Sequence, residues 1–272
     1  MDDRSGSRVV SPVVLGIGGD WLPVTTGESG AFVFRSADAG RYAKCVPVAG
    51  AADLAAERER IVWLSARAVP GPAVLDWFDA DVGACLITSA VHGVSADQVS
   101  AEDLRGSWER IADAVRRLHE VPVSQCPFHR GLDTMVTLAR DVVARDAVNP
   151  QFLPVEQQHT PPAGLLARLA RQVPRRRDQE AGDAVVCHGD LCLPNIMLDP
   201  QTLDVSGFID LGRLGQADRY ADLALLLANA RETWADEGQA RAADVAFAER
   251  YGITLDDERL RFYLDLDPLT WG

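Results

Sequence analysis

Residues 184–210 read Ala184-Val-Val-Cys187-His188-Gly189-Asp190-Leu-Cys-Leu-Pro-Asn195-Ile-Met-Leu-Asp199-Pro-Gln-Thr-Leu-Asp204-Val-Ser-Gly-Phe-Ile209-Asp210. The opening run 184–187 is short and apolar, as a buried strand is. Two further short strands, 196–199 and 205–209, flank the turn-like Pro200-Gln-Thr-Leu-Asp204. Folded as a hairpin about residues 202–203, they set positions 195 and 210 opposite each other, so Asn195 and Asp210 meet at its open end. Asp190 lies five residues ahead on the connecting loop. An amide oxygen and a carboxylate beside a third acidic group make a hard oxygen site suited to Mg²⁺ and a phosphate chain. Mg²⁺ takes one or two protein ligands and keeps the rest of its shell for water and phosphate. Asn195 and Asp210 supply those ligands, and Asp190 is left to orient a substrate hydroxyl. Any one of the three alone reads as an ordinary turn residue; the set, on one strand, loop and hairpin, is what points to chemistry.

Outward from this stretch the chain changes character near Ser89-Ala-Val91-His-Gly93. Before it, Ala31-Phe-Val-Phe34, Tyr42-Ala-Lys44-Cys-Val46 and Ala84-Cys-Leu-Ile-Thr88 are short β-type runs bounded by Gly, Pro and Asp. Lys44 stands between apolar neighbours, so on an ordinary two-faced strand it points away from the core. One helix interrupts the strands over 52–67, with Leu54, Ile61 and Leu64 on one face. Glu57 shares that face and Glu59 does not. After the change, Trp108, Ile111, Ala112, Val115 and Leu118 recur at helical spacing, and a second apolar helix runs through Leu223–Leu227. Residues 149–162, with four prolines, read as a connecting loop. The expected class is α+β: a β-rich N-terminal lobe over 1–91 ending in a hinge, and a mostly helical C-terminal lobe over 92–272.

With 272 residues, 47 % of them hydrophobic, the chain can bury a sizeable core. No apolar run approaches a membrane span, and Met1-Asp2-Asp3 lacks the basic start of a secretory signal, so a cytoplasmic protein is expected. A net charge of -13 disfavours nucleic acid and anionic lipid, which need clustered Lys and Arg, and either favours a cationic partner or only keeps the chain in solution. Nothing implies a protein partner. Five scattered cysteines, an odd number without paired spacing, are expected as reduced thiols.

His188-Gly-Asp190-x-x-x-x-Asn195 followed by Ile209-Asp210-Leu-Gly-Arg213 resembles the catalytic and metal motifs of the aminoglycoside phosphotransferase family. The resemblance implies a protein-kinase-like two-lobed fold with ATP between the lobes, Asp190 as catalytic base, and Asn195 and Asp210 on Mg²⁺. It also implies that Thr26-Gly27-Glu28-Ser29-Gly30 covers the phosphates, Ser29 and Gly30 offering backbone N–H groups. Lys44 then grips the α- and β-phosphates with Glu57 as its ion-pair partner. The hinge at Ser89-Ala90-Val91 presents backbone groups to adenine. No Arg separates the loop His from Asp190, and the Asp-Phe-Gly and Ala-Pro-Glu signatures are missing, which argues against a protein substrate. His119 and His188 read as structural rather than as proton carriers.

Within the family, Gly27-Glu-Ser-Gly30, Gln125-Cys-Pro-Phe128, Asn149-Pro-Gln-Phe-Leu-Pro154, Arg219-Tyr-Ala-Asp-Leu-Ala224 and Leu266-Asp-Pro-Leu-Thr-Trp-Gly272 look closer to the streptomycin 3''-phosphotransferase branch than to the kanamycin and neomycin branch. That implies transfer of phosphate to the 3''-hydroxyl of streptomycin, a resistance activity. Streptomycin carries guanidinium groups, which pair best with carboxylates, and Asp265 and Asp267 are the candidates near the C-terminus. Arg213 either contacts phosphate or holds its loop.

Overall fold

Along Arg41–Pro47 (β3) burial alternates with the pleat: Ala43 and Cys45 are completely buried and Lys44 is turned to the opposite face. β3 is the middle of a five-stranded antiparallel sheet in a computed structural model that describes residues 10–24 and 31–272. Its companions are β1 (Trp21–Val24), β2 (Phe32–Ser36), β4 (Val74–Ala80) and β5 (Gly83–Ser89), in the order β1-β2-β3-β5-β4. Register sets Lys44 opposite Val33 on one side and Leu86 on the other. The three strands expected from sequence are present with ends moved by a residue or two, while β1 and β4 were not foreseen. Helix α1 (Ala51–Ser65) buries Leu54, Glu57, Ile61 and Leu64, the expected stripe with the expected acid in it. Ala43, Cys45, Cys85 and Ile87 form a small core with Val10 and Ile17.

The chain separates into two compact units. The first comprises the described residues up to His92 together with Gly207–Gly212; the second comprises Gly93–Ser206 and Arg213–Gly272. The short excursion 207–212 joins the first unit because Phe208 N–H donates to the Pro70 carbonyl at 3.1 Å and Asp210 pairs with Lys44.

The second unit is mostly helical: α2 (Ala101–His119), α3 (Leu132–Ala144), α4 (Pro162–Ala170), α5 (Val173–Asp183), α6 (Arg219–Arg231), α7 (Glu237–Tyr251) and α8 (Asp257–Leu266). Ser100 caps α2 by accepting the Asp103 N–H, and Asp218 caps α6 by accepting that of Tyr220. The core gathers Leu132, Met135 and Val136 from α3, Leu165 and Leu169 from α4, Tyr220 and Ala224 from α6, and Phe262 and Leu266 from α8. Each such large side chain contributes about 1.5–3 kcal/mol by leaving water. The loop expected over 149–162 is broken by two short 3₁₀ turns. Among the described residues, no helix is long and apolar enough to cross a membrane.

Two small sheets carry the motif region. β7 (Ala184–Cys187) pairs antiparallel with β10 (Gly215–Asp218), Cys187 opposite Gly215. β8 (Ile196–Leu198) lies between β6 (Val94–Ser95) and β9 (Val205–Phe208). The turn joining β8 to β9 closes with Asp199 N–H on the Asp204 carbonyl and Leu203 N–H on that of Asp199. It is therefore centred near 201–202, one residue earlier than expected, and strict strand register no longer pairs 195 with 210. The Asp199 carboxylate accepts the N–H groups of Gln201 and Thr202, an Asx turn that fixes this centre.

Candidate active site

In the second unit the loop after β7 is shaped by Gly189. Its φ is +84°, and a Cβ at this position would lie 2.2 Å from the Arg213 carbonyl oxygen, so glycine alone fits. Asp190 follows half-buried, its N–H on His188 Nδ1 at 3.2 Å. Asn195 is nearly buried and donates through Nδ2 to the Asp190 carbonyl at 2.9 Å and to its carboxylate at 3.2 Å. That orientation fixes the amide nitrogen inward and makes Oδ1 the atom offered to a cation. Leu193 N–H donates to Asn229 Oδ1 at 2.8 Å, so α6 holds the middle of the loop.

In the first unit, Lys44 Nζ lies 2.8 Å from Glu57 Oε2 and 2.9 Å from Asp210 Oδ1. One ammonium serves two carboxylates, which leaves a net negative charge. Burial opposes the charged form of Lys44, but Glu57 and Asp210 outweigh it and raise its pKa above the ordinary lysine range. Burial pushes the Glu57 carboxyl up, against the pull of Lys44 and with the push of Asp210. Asp210 has φ +58°, a left-handed conformation uncommon for a residue with a side chain, and its side chain is 42 % exposed. The hard oxygens of Asp210 in this unit and of Asn195 in the other are the donor type that Mg²⁺ takes.

A model of the phosphotransferase enzyme family matches residues 20–263. This chain belongs to that family. It is 71 % identical over 272 residues, all of both chains, to the streptomycin 3''-kinase of Streptomyces griseus. It is 42 % identical over 262 residues, 91 % of this chain and 94 % of the relative, to an aminoglycoside 3'-phosphotransferase of Streptomyces fradiae. The solved structure of aminoglycoside phosphotransferase APH(3'')-Id from Streptomyces rimosus in complex with ADP and streptomycin superposes with a TM-score of 0.91. That match is at 62 % identity and covers 96 % of this chain and 97 % of the other.

Other anticipated positions of this phosphotransferase fall out differently. Ser29 and Gly30 lie outside the described residues. The Ser89 N–H is spent on the Ala73 carbonyl at 2.9 Å and that of Ala90 on Gly40 at 2.9 Å, so Ser89 has no backbone donor left for adenine. Val91 remains as the hinge position beyond these two. Arg213 points its guanidinium over the Trp271 ring, 3.3 Å from the centroid, with Nη1 3.5 Å from Asp267. Asp265 and Asp267 are both nearly buried with internal partners. Gln157 Nε2 donates to Asp265 at 2.8 Å, and Trp271 Nε1 donates to Asp267 at 2.8 Å. Helix α8 and the turn after it fold these acids back onto the chain.

Asp222 went unremarked in sequence and proves central. Its carboxylate is completely buried and accepts the N–H of His188 at 2.6 Å and of Gly189 at 2.8 Å. His119 Nε2 lies 3.0 Å from the same carboxylate and Nδ1 2.7 Å from the Tyr251 hydroxyl, a structural role as expected. Burial alone raises the Asp222 pKa, but the His119 hydrogen bond and the surrounding donors bring it below the ordinary carboxylate value. His119, Cys187 and Asp222 offer ligand atoms within 4.8 Å of one another. All three are already engaged, Cys187 Sγ with the Asp218 carbonyl at 3.3 Å, and burial holds its thiol protonated. The signal available in sequence was an acid at position 222 on the apolar helical stripe of Leu223, Leu226 and Leu227.

Proposed function

We propose that this chain transfers the γ-phosphoryl group of ATP to the 3''-hydroxyl of streptomycin, inactivating the drug and conferring resistance. The observation that carries the reaction class is Lys44 bridged between Glu57 and Asp210, one ammonium fixed by two carboxylates at 2.8 and 2.9 Å. A lysine immobilised in this way presents its remaining N–H to phosphate oxygens without the entropy cost of ordering a long side chain. Full-length identity of 71 % with the Streptomyces griseus streptomycin 3''-kinase supports the substrate.

In this reading Asp190 accepts a hydrogen bond from the 3''-hydroxyl and takes its proton as the hydroxyl oxygen bonds to the γ-phosphorus. The bond from that phosphorus to the β–γ bridging oxygen breaks, and ADP leaves. Asn195 pins Asp190 by two hydrogen bonds and so fixes the direction of its carboxylate. Asn195 Oδ1 and the Asp210 carboxylate would hold Mg²⁺, which would neutralise phosphate charge when bound. Val91 and the hinge carbonyls take the adenine. Arg213 and the turn beginning at Asp267 line the aminoglycoside side, and Ser29 and Gly30 cover the phosphates.

The test is ADP release from Mg·ATP with streptomycin, kanamycin, neomycin, choline and homoserine. Turnover with streptomycin far above the rest is expected, together with streptomycin resistance in a sensitive bacterium. Equal turnover of kanamycin, or none of either drug, sinks the reading.

A further inference from the structure

Arg130 precedes α3, and its backbone N–H is fixed on the Gln216 carbonyl at 3.0 Å. Its side chain is 7 % exposed. Nη2 donates to Thr270 Oγ1 at 3.2 Å and lies 3.9 Å from Asp267 Oδ1, while Nε and Nη1 are buried without a hydrogen-bond partner. Arg213 Nη1 reaches for the same two acceptors, each at 3.5 Å. Two guanidinium groups thus share one carboxylate and one hydroxyl. Neither closes to the about 2.7–2.9 Å of a good guanidinium–carboxylate bond. Burial and the neighbouring Arg213 charge bring the Arg130 pKa down to about 10, with Asp267 and Asp190 pulling the other way, so the group stays charged at neutral pH.

A buried cation with two unmet donors costs stability, and an apolar side chain of similar volume folds as well or better in such a place. A purely structural residue has no reason to be arginine here. What the second cation does is divide the acceptors. With Arg130 present, Arg213 shares Asp267 and Thr270 with it while lying over Trp271; without it, both acceptors on this turn are left to Arg213.

We propose that Arg130 is a positioning residue for the aminoglycoside, setting the Asp267–Thr270 turn and the Arg213–Trp271 stack at a direct cost in stability. This rests on the function proposed above. The experiment compares wild type, Arg130→Met and Arg130→Lys by melting temperature and by separate KM values for streptomycin and ATP. For Arg130→Met the expected result is an equal or higher melting temperature, a streptomycin KM raised about tenfold or more, and an ATP KM within about twofold of wild type. Arg130→Lys keeps the charge without the planar fork and should fall between the two in streptomycin KM. An unchanged streptomycin KM in Arg130→Met overturns the proposal. So does a parallel rise of both KM values with a lower melting temperature, which is how a structural residue behaves. If wild type acts on another aminoglycoside of the panel, that drug replaces streptomycin in the same comparison. If wild type itself turns over none, the functional reading has failed first and the proposal falls with it.

Discussion

Around Lys44, Glu57 and Asp210 share one ammonium at 2.8 and 2.9 Å; around Asp267, Arg213 and Arg130 share one carboxylate at 3.5 and 3.9 Å. The first cluster carries one negative charge too many and the second one positive charge too many. Their distances differ for a reason. An ammonium is compact and rotates three donors freely, so it closes on two separate carboxylates at once. At Asp267 the Trp271 Nε1–H holds Oδ2, so both planar forks reach for the single remaining oxygen, Oδ1. The lysine cluster is therefore set tightly before any ligand arrives, and its excess charge suits a metal-bound nucleotide. The arginine cluster is loose, and small changes in it move the C-terminal turn.

The largest way to break this comparison is on the nucleotide side. Asp210→Ala is expected to abolish turnover and Mg·ATP binding together. Asp190→Ala should lower kcat by roughly 10²–10⁴-fold, the range of a lost general base, and leave ATP affinity nearly unchanged. Single-turnover kinetics beside nucleotide titration separate the two. An Asp190→Ala variant that keeps about a tenth of wild-type kcat would remove Asp190 from the role of base.

Intermediate in size is Asp222→Ala, which strands the buried N–H groups of His188 and Gly189 and removes the partner of His119. Unfolding free energy should fall by about 3–5 kcal/mol. The same carboxylate predicts a pH dependence. Its folded pKa is depressed below the unfolded value. Its contribution is thus complete above the ordinary carboxylate range and fades as pH falls through the depressed value. Denaturant titrations at descending pH should show wild type losing its advantage over Asp222→Ala; a constant gap would contradict this.

The smallest effect belongs to the arginine cluster. Asp267→Asn keeps the shape but leaves Arg130 and Arg213 without their carboxylate. Streptomycin binding should weaken by about 1.5–3 kcal/mol, roughly ten- to a hundredfold. The melting temperature should fall where that of Arg130→Met does not, and calorimetric affinity for Mg·ATP should hardly move. Asp267→Asn with unchanged streptomycin affinity would take this acid out of the drug side.

Lys44, Glu57, Asp190, Asn195 and Asp210 were legible because each lies in a short local pattern. A charged residue in an apolar strand, an acid on a helix stripe and a strand–loop–hairpin are periodicities of two and 3.6 that any window of the chain displays. Hairpin register was less secure, since the Asx turn at Asp199 moved its centre by a residue without altering the composition. For Asp265 and Asp267 the sequence gives their type and not their burial or internal partners. At Ser89, nothing local reveals that the N–H is already taken by the Ala73 carbonyl, since that pairing depends on how segments distant in the chain come together.

By itself, then, the sequence determined that this chain has a β-rich part followed by a helical part, and which side chains are the candidates for its chemistry. Those properties follow from patterning and from motif spacing within a few turns of chain. Only the tertiary structure decided that Asp222 anchors the loop 34 residues before it through the His188 N–H, and that Arg130 meets Thr270 across 140 residues. Such contacts depend on which surfaces the folded chain brings together. Their energies, set by burial and by which donors remain unmet, do not exist until that packing is complete.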